Sequence, residues 1–578
     1  MLTIYYDGDC PFCTAYTRLV RLREVVGEVA VVNVRDVPAV RYRLTGMGLE
    51  LDKGMVVEYQ GKTWHGAEAM SLLGRLTQRQ GIFNCLNSLL FGPAWISALI
   101  YPLLRMGRNL VLLLLGRTPL RAGDSANGDL FRLFSVAWGI FSCLHFIIYG
   151  AQYGAPLFPS TWLILVFGFG LVLAPGSVRL FVLLVVVMSV DAVLQMPVHS
   201  NHTIIKNFWL LALLVGGLGH GLAGNSFGRF FGDVVPVGRA LLAIMYVFGV
   251  WHKINSDFLN PEVSCAKALW DELPVFLSVF DHVAVYYAGI YGTLIIETLI
   301  LGFLLVPRTR WLGIIAGVLF HSLLALSQYA FYPTFSMLTV ALHLLYLSPG
   351  AATRIVKSYS WAKFMAIPLW QRGAMLGAWV GTLYWMAYYG MYTLGAFLWL
   401  GGMGWLLREL CLSARDHDAR TWQDMLLSRQ GWINVVTLLF FFNCITPYLG
   451  LKTAQSINMF ANLRLEGGVS NHLLLRSPPG PFGYLEDIVE IRDENPQGAF
   501  HQIQTEGLRM VYYELLGELA DNPGHSVSFV RNGVFYENQN SETLKEDIER
   551  FLHPRWFRKW FHFNPVDIRD PKPCALDR

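Results

Sequence analysis

Apolar runs long enough to cross ~30 Å of hydrocarbon recur between about residue 130 and residue 450. Such runs leave the chain few choices, because backbone polar groups in lipid must be satisfied within helices or closed barrels. Only 15% of the 578 residues are charged, against roughly a quarter in soluble proteins. The sequence therefore predicts a polytopic α-helical membrane protein with about eleven spans. It predicts an α/β domain before them and a soluble α+β domain after them. The corresponding divisions are residues 1–121, 122–450 and 451–578. A net charge of +4 gives no reason to expect nucleic acid as a partner. The start reads as a strand rather than a cleavable signal peptide.

The expected spans are 130–150, 160–175, 178–196, 205–224, 237–253, 283–306, 310–328, 333–348, 374–389, 391–411 and 432–450. Arginine and lysine concentrate in alternate loops, for example Arg354, Lys357, Lys363 and Arg372, or Arg408, Arg415, Arg420 and Arg429. The intervening loop 254–282 instead carries Asp257, Glu262, Asp271, Glu272 and Asp281 against Lys267. By the positive-inside rule the N-terminus is cytoplasmic and the C-terminal domain lies outside the inner (plasma) membrane. Residues 83–121 are apolar but broken by Gly92, Pro93 and Pro102, and read as surface helices. Residues 122–128 read as a linker. Cys265 and Cys574 both fall in outer segments, where an oxidising compartment permits pairing, although nothing in the sequence brings them together.

The chain opens on Tyr6-Asp7-Gly8-Asp9-Cys10-Pro11-Phe12-Cys13. Residues 2–6 read as a buried strand and 14–25 as a helix, with Leu19, Val20, Leu22 and Val25 on its apolar side. A dithiol at a strand-to-helix junction meets the unpaired amides of the first turn, which stabilise a thiolate. Cys10 is the expected attacking thiol and Cys13 the resolving one. Cys10, nearer the loop, is expected to be the more exposed. Alternatives are a structural pair or half a zinc site. Against zinc, there is no second pair at this spacing and His65 is the domain's one histidine, so no metal is predicted. Val29–Val34 reads as a second strand, Met55–Tyr59 with Lys62–Trp64 as a hairpin, and 67–79 as an amphipathic helix.

This opening motif resembles the DCC family of thioredoxin-like thiol-disulfide oxidoreductases. Gly54-Met55 and Tyr101 with Arg108-Asn109 resemble it too, over roughly residues 1–120. The resemblance implies a thioredoxin-like fold and disulfide exchange with a thiol or disulfide partner. No proline precedes Met55, so the cis-proline substrate loop of thioredoxins is not evident.

Ionisable groups inside spans are costly and point to function by default. Asn201-His202 precedes the fourth span, His252-Lys253 closes the fifth with Asn255 and Asp257 following, and His321 lies in the seventh. A partly dehydrated lysine can act as a base beside a histidine. The alternatives are a snorkelling Lys253 and a helix-capping His202. Asp257 is the acid that would hold Lys253 charged. Asp191 and Glu297 lie near mid-membrane, each either lining a cavity or making a structural hydrogen bond. His145, His220 and His343 read as satisfied interior histidines.

The stretch Gly249-Val250-Trp251-His252-Lys253-Ile254-Asn255 resembles the lysine segment of vitamin K-dependent γ-carboxylase and the related HTTM domains. Ser200-Asn201-His202-Thr203 and Phe320-His321, with Phe331-Tyr332-Pro333, resemble further segments of that family, over roughly residues 130–350. The resemblance implies Lys253 as base, His202 with Asn201 as its helper, and a quinone of menaquinone or vitamin K type. It also makes His252, Asp257 and His321 candidates for substrate or cofactor binding. His252 replaces a second lysine, and Asn255 an aspartate, of the carboxylase pattern.

After the last span, Gln455 to Gly468 reads as amphipathic and resembles a recurrent segment of bacterial HTTM proteins. Arg464, Glu466, Asn471 and His472 are candidates to roof an outer site. The alternative is a plain helix capped at Gly467. Further on, Asp487–Arg492 and Ser526–Tyr536 read as strands, and Arg509–Leu519 and Ser541–Leu552 as helices. The leading expectation is a bacterial-type membrane redox protein, combining a dithiol oxidoreductase with a carboxylase-like, quinone-linked membrane domain. The rival is a maturation or scaffold protein that binds a peptide or lipid partner without turnover.

Overall fold

The computed structural model describes the chain apart from residues 9, 21, 23–25, 38–39, 41–42, 45–46, 48, 50, 52–53, 79, 115–127, 154–158, 197–199, 224, 275–279, 328–331, 416–419, 478–479, 493–499, 553–557 and 575–578. The expected linker over 122–127, Val25 and Phe331 fall outside the described residues. The chain divides into two compact units, Met1–Gly128 with Leu213–Asp233, and Asp129–Ala212 with Val234–Arg578.

In the first unit, strands β1 (Leu2–Tyr6), β2 (Val29–Asn33), β3 (Val56–Tyr59) and β4 (Lys62–His65) form one sheet in the order β2-β1-β3-β4. β1 and β2 run parallel, and β3 pairs antiparallel with both β1 and β4. The parallel pair requires a crossover, supplied by helix α1 (Pro11–Leu19). The β3–β4 turn uses Gln60 and Gly61, both at positive φ, the geometry that matches strand twist in a two-residue hairpin. Helix α2 (Ala67–Leu76) buries Ala69, Met70, Leu72 and Leu73 with Leu2, Ile4 and Val57. Helices α3 (Ile82–Phe91) and α4 (Ala94–Leu114) follow, bent 107° where they meet. The expected helix over 14–25 starts earlier because Cys10 caps it and Pro11 occupies its first turn. It ends at Leu19, and Val20 is extended.

Helices α5 (Gly128–Tyr153), α6 (Pro159–Leu173), α7 (Val178–Gln195), α8 (Asn201–Ala223) and α9 (Phe227–Trp251) come next in the chain. After the short α10 (Cys265–Asp271) come α11 (Val283–Leu305), α12 (Arg310–Leu324) and α13 (Tyr332–Leu344). These are followed by α14 (Pro349–Val356), α15 (Tyr359–Ala366), α16 (Leu369–Tyr388), α17 (Tyr392–Ser413), α18 (Trp422–Leu426) and α19 (Asn434–Ile445). Every one of the eleven expected spans thus contains a helix. Among the described residues, however, only five are long and apolar enough to cross a membrane, or seven if each of two bent pairs counts once. α6, α12 and α19 are apolar but shorter. On α11 the buried residues are Ile290, Glu297, Ile300 and Leu304, one stripe at helical spacing. Ile295, Ile296 and Leu299 are exposed on its other side.

The second unit also holds an antiparallel sheet in the order β6-β5-β7-β8, made of β5 (Ile488–Ile491), β6 (Arg509–Val511), β7 (Ser526–Arg531) and β8 (Val534–Asn540). Helices α21 (Tyr512–Asp521) and α22 (Lys545–Leu552) cover it, and α20 (His501–Thr505) precedes β6. Val489, Leu515, Leu516 and Phe529 form a core that also receives Phe563. Ser526–Tyr536, expected as one strand, is a hairpin turning at Asn532 and Gly533, both at positive φ. The first three residues of the expected helix 509–519 are instead strand β6. Gln455–Gly468 is not a helix. It is an irregular segment with Gln455, Ile457, Phe460 and Asn462 at positive φ.

Candidate functional site

The dithiol sits at the β1–α1 junction, as the spacing predicts. The Cys13 N–H donates to Cys10 Sγ at 3.1 Å, so the thiol itself caps the helix. Two groups fix the preceding loop. Gly8 N–H donates to Asn33 Oδ1 at 2.8 Å, and Asp7 receives Arg35 Nε at 2.6 Å and Arg108 Nη2 at 2.9 Å. A side chain at Gly8 would collide with the Asn33 amide and displace it from this hydrogen bond. The thiol hydrogen bond from Cys13 is the main force holding the Cys10 thiol down, to about 6. The Cys13 backbone N–H and the Arg108 charge add to it, against burial. Cys13 is pushed far up by the same hydrogen bond and by burial. The site therefore carries one thiolate and one thiol.

The expected exposure is reversed. Cys10 is 0% exposed, whereas Cys13 is partly exposed and Phe12 is 55% exposed. Capping draws Cys10 Sγ under the helix start, and the Pro11-Phe12 step carries the surface. Gly54, just before β3, approaches Tyr101 so closely that a Cβ there would collide with its hydroxyl.

The second constellation lies within the second unit, in a cavity of about 330 Å³. Asn201, His202, Tyr246, Lys253, Glu297 and His321 line it among apolar groups including Phe258, Phe335, Ile457 and Phe460. Lys253 gets there because Asn255 ends α9. The Asn255 amide donates to His252 O at 2.8 Å, and its Oδ1 accepts from Phe258 N at 2.8 Å. Lys253 Nζ donates to both Glu297 oxygens, at 2.7 and 2.8 Å. Its acidic partner is thus Glu297, not Asp257. Asp257 accepts from Asn471 Nδ2 at 2.7 Å and from Lys572 N at 3.2 Å. Asn201 Oδ1 accepts from Ile457 N at 2.8 Å and positions the cavity wall rather than His202. His202 Nδ1 meets Ser200 Oγ at 3.0 Å.

Six predicted residues do not line the cavity: Asp257 and Asn471, which bond each other, and four more. His252 bonds the Tyr448 hydroxyl at 2.6 Å and Ser456 O at 3.0 Å. His472 meets Trp251 O at 3.1 Å, Arg464 donates to Arg569 O at 2.7 Å, and Glu466 accepts from Leu465 N at 3.0 Å. Of these, His252 and His472 tie the C-terminal segment to the end of α9. Ile457, Met459 and Phe460 occupy the wall where Arg464, Glu466 and His472 were expected. Tyr246 carried no sequence signal of its own. His343, read as a satisfied interior histidine, bonds Tyr246 beside the cavity.

Cys265 and Cys574, whose pairing the sequence permits but does not require, form a disulfide with Cα atoms 4.9 Å apart. It sits against Phe258 and Phe460, which line the cavity. Among the described residues no cluster of His, Cys, Asp or Glu is arranged to hold a metal ion.

A parallel βαβ unit extended by an antiparallel hairpin, with a polarised Cys-x-x-Cys at its first helix start, gives the N-terminal part an arrangement suited to thiol-disulfide exchange. In agreement, residues 4–113 match the model of the DCC1-like thiol-disulfide oxidoreductase family. No curated protein and no solved structure matches the chain.

Proposed function

We propose that the protein is a bacterial-type membrane redox protein whose N-terminal dithiol exchanges with a partner disulfide. In this reading the Cys10 thiolate attacks one partner sulfur, forming a mixed disulfide and releasing the other sulfur as a thiolate. Cys13 then loses its proton and attacks Cys10 Sγ. The dithiol closes to a disulfide, and the partner leaves reduced by two electrons.

Residues 130–350 would be an HTTM, carboxylase-like domain whose cavity binds a quinone of menaquinone or vitamin K type. The observation that carries this is the convergence of Asn201, His202, Lys253, Glu297 and His321 on one cavity. Apolar walls with a few convergent polar groups suit a lipid-soluble ring bearing two oxygens. Lys253, held by Glu297, offers its remaining N–H to a ligand oxygen. A bound quinone would supply a lipid-soluble two-electron carrier. The N-terminus would face the cytoplasm and the C-terminal domain the outside.

The test is to purify the chain in detergent, extract it with organic solvent and identify quinones by mass spectrometry. A quinone near one per chain supports the reading, and its loss in the Lys253→Met, Glu297→Leu double variant locates it. Its absence from wild type favours the maturation or scaffold reading. That second reading has its own support: β8 lies at the sheet edge, with Val534 and Phe535 each 55% exposed, open to an added peptide strand.

A further inference from the structure

Three buried side chains beside the cavity form a chain whose protons can be assigned from geometry alone. His343 Nδ1 lies 2.7 Å from Thr339 O, a group that only accepts, so Nδ1 carries a proton. A neutral imidazole has one N–H, so His343 Nε2 is an acceptor. The Tyr246 hydroxyl, 3.1 Å away, therefore donates to it. The Tyr246 oxygen then accepts from His321 Nε2 at 2.9 Å. His321 consequently has its proton on Nε2 and a bare lone pair on Nδ1. That nitrogen is buried and has no hydrogen-bond partner among the described residues, on a ring that is 2% exposed and forms part of the cavity wall.

Packing enforces the arrangement. Gly317 of α12 lies so near the His343 ring that a Cβ there would overlap it, so glycine is what lets the ring reach Tyr246. Lys253 cannot play the accepting part while both Glu297 oxygens hold it as an ammonium donor.

We propose that His321 Nδ1 is the cavity's hydrogen-bond acceptor for a ligand hydroxyl, with Tyr246 and His343 as positioning residues that hold His321 in that tautomer. The assignment rests on the cavity being a ligand site, and it adds the functional group the ligand must carry. The cavity selects an aromatic molecule with a free O–H over one in which that oxygen is capped. A proton accepted at Nδ1 has a route onward. The Nε2 proton passes to the Tyr246 oxygen, and the Tyr246 proton passes to His343 Nε2. The result is an imidazolium on His343, charge-stabilised by Thr339 O, and a neutral His321.

Two measurements on the full chain in lipid nanodiscs test this. Naphthol and its methyl ether serve as probes, read by quenching of tryptophan fluorescence, since Trp270 lines the cavity. Wild type should bind naphthol about tenfold more tightly than the ether, the worth of one buried hydrogen bond. Tyr246→Phe should shrink that ratio, taken between the two probes on the same variant, to about twofold to threefold. Equal binding of the two probes by wild type overturns the tautomer assignment and leaves the cavity a ligand site. Binding of neither overturns both. On wild-type protein, nitrogen NMR of isotope-labelled histidine should show His343 protonated on Nδ1 and His321 on Nε2. His321→Gln and His343→Gln identify the two resonances. A proton on His321 Nδ1 refutes the proposal.

Discussion

Replacing Arg108 by glutamine should weaken the Cys10 thiolate without touching either thiol. Arg108 donates to Asp7 at 2.9 Å and its charge helps to hold Cys10 down, to about 6. With that value about nine-tenths of Cys10 is thiolate at pH 7, against about three-hundredths for an unperturbed thiol. Losing one cationic neighbour raises a thiol by about one unit. At pH 6 the thiolate share then falls from about half to about a tenth, a fivefold slowing of alkylation. The assay is iodoacetamide labelling across pH 5 to 9, with the modified cysteine read by mass spectrometry. Wild type should label at Cys10 with an inflection near 6, shifted about one unit upward in Arg108→Gln. The sign for stability follows from the depressed value. The thiolate stabilises the fold fully above the ordinary thiol range, and this is lost as pH falls through about 6. Labelling of Cys13 first, or an inflection near 9 in wild type, would refute the polarity of the pair. Because Cys10 is buried and Cys13 is not, this experiment sets thiolate character against access.

Three further outcomes are expected. Lys253→Met leaves Glu297 a buried unpaired carboxylate and should cost about 3–5 kcal/mol, while Lys253→Met with Glu297→Leu recovers most of it. Thermal unfolding in detergent measures both, and an equally unstable double variant would show that the pair's charge is not the issue. Asn201→Ala frees Ile457 N and should raise hydrogen exchange across 453–462 while sparing α9. Unchanged exchange there would remove Asn201 from the wall. Non-reduced, denatured protein should titrate six free thiols and reduced protein eight. Cys265→Ala should lower the unfolding temperature, the bridge being worth about 2–4 kcal/mol, and eight thiols without reductant would refute the bridge.

Local signals were legible where local physics decides. The dithiol loop, the β3–β4 hairpin around Gln60-Gly61 and helix 67–76 follow from period, turn chemistry and caps. The β7–β8 turn was equally available, because Asn532-Gly533 is a strong hairpin signal, but the apolar run on either side masked it. Other features depend on partners hundreds of residues away. Ile457 at positive φ is costly for a β-branched residue. It persists because Asn201 holds its N–H, a contact spanning 256 residues. Glu297 was visible as a costly charge in an apolar helix, but its choice of Lys253 was not. The same holds for Tyr246, an ordinary tyrosine until α12 and α13 bring two imidazoles to its hydroxyl. Length and hydropathy both set the remaining gap: α6, α12 and α19 are apolar but short, whereas α16 and α17 are long enough but not apolar enough to cross a membrane.

The bridge between Cys265 and Cys574 is also a rule about parity. Two thiols can join only on one side of a membrane, so the polypeptide between them must cross an even number of times. The six crossings expected between these positions obey this rule, and any revised count must gain or lose crossings in pairs. If the apolar helices cross a membrane, one bond thereby fixes the C-terminal domain to the same face as the acidic loop after α9, whichever face that is.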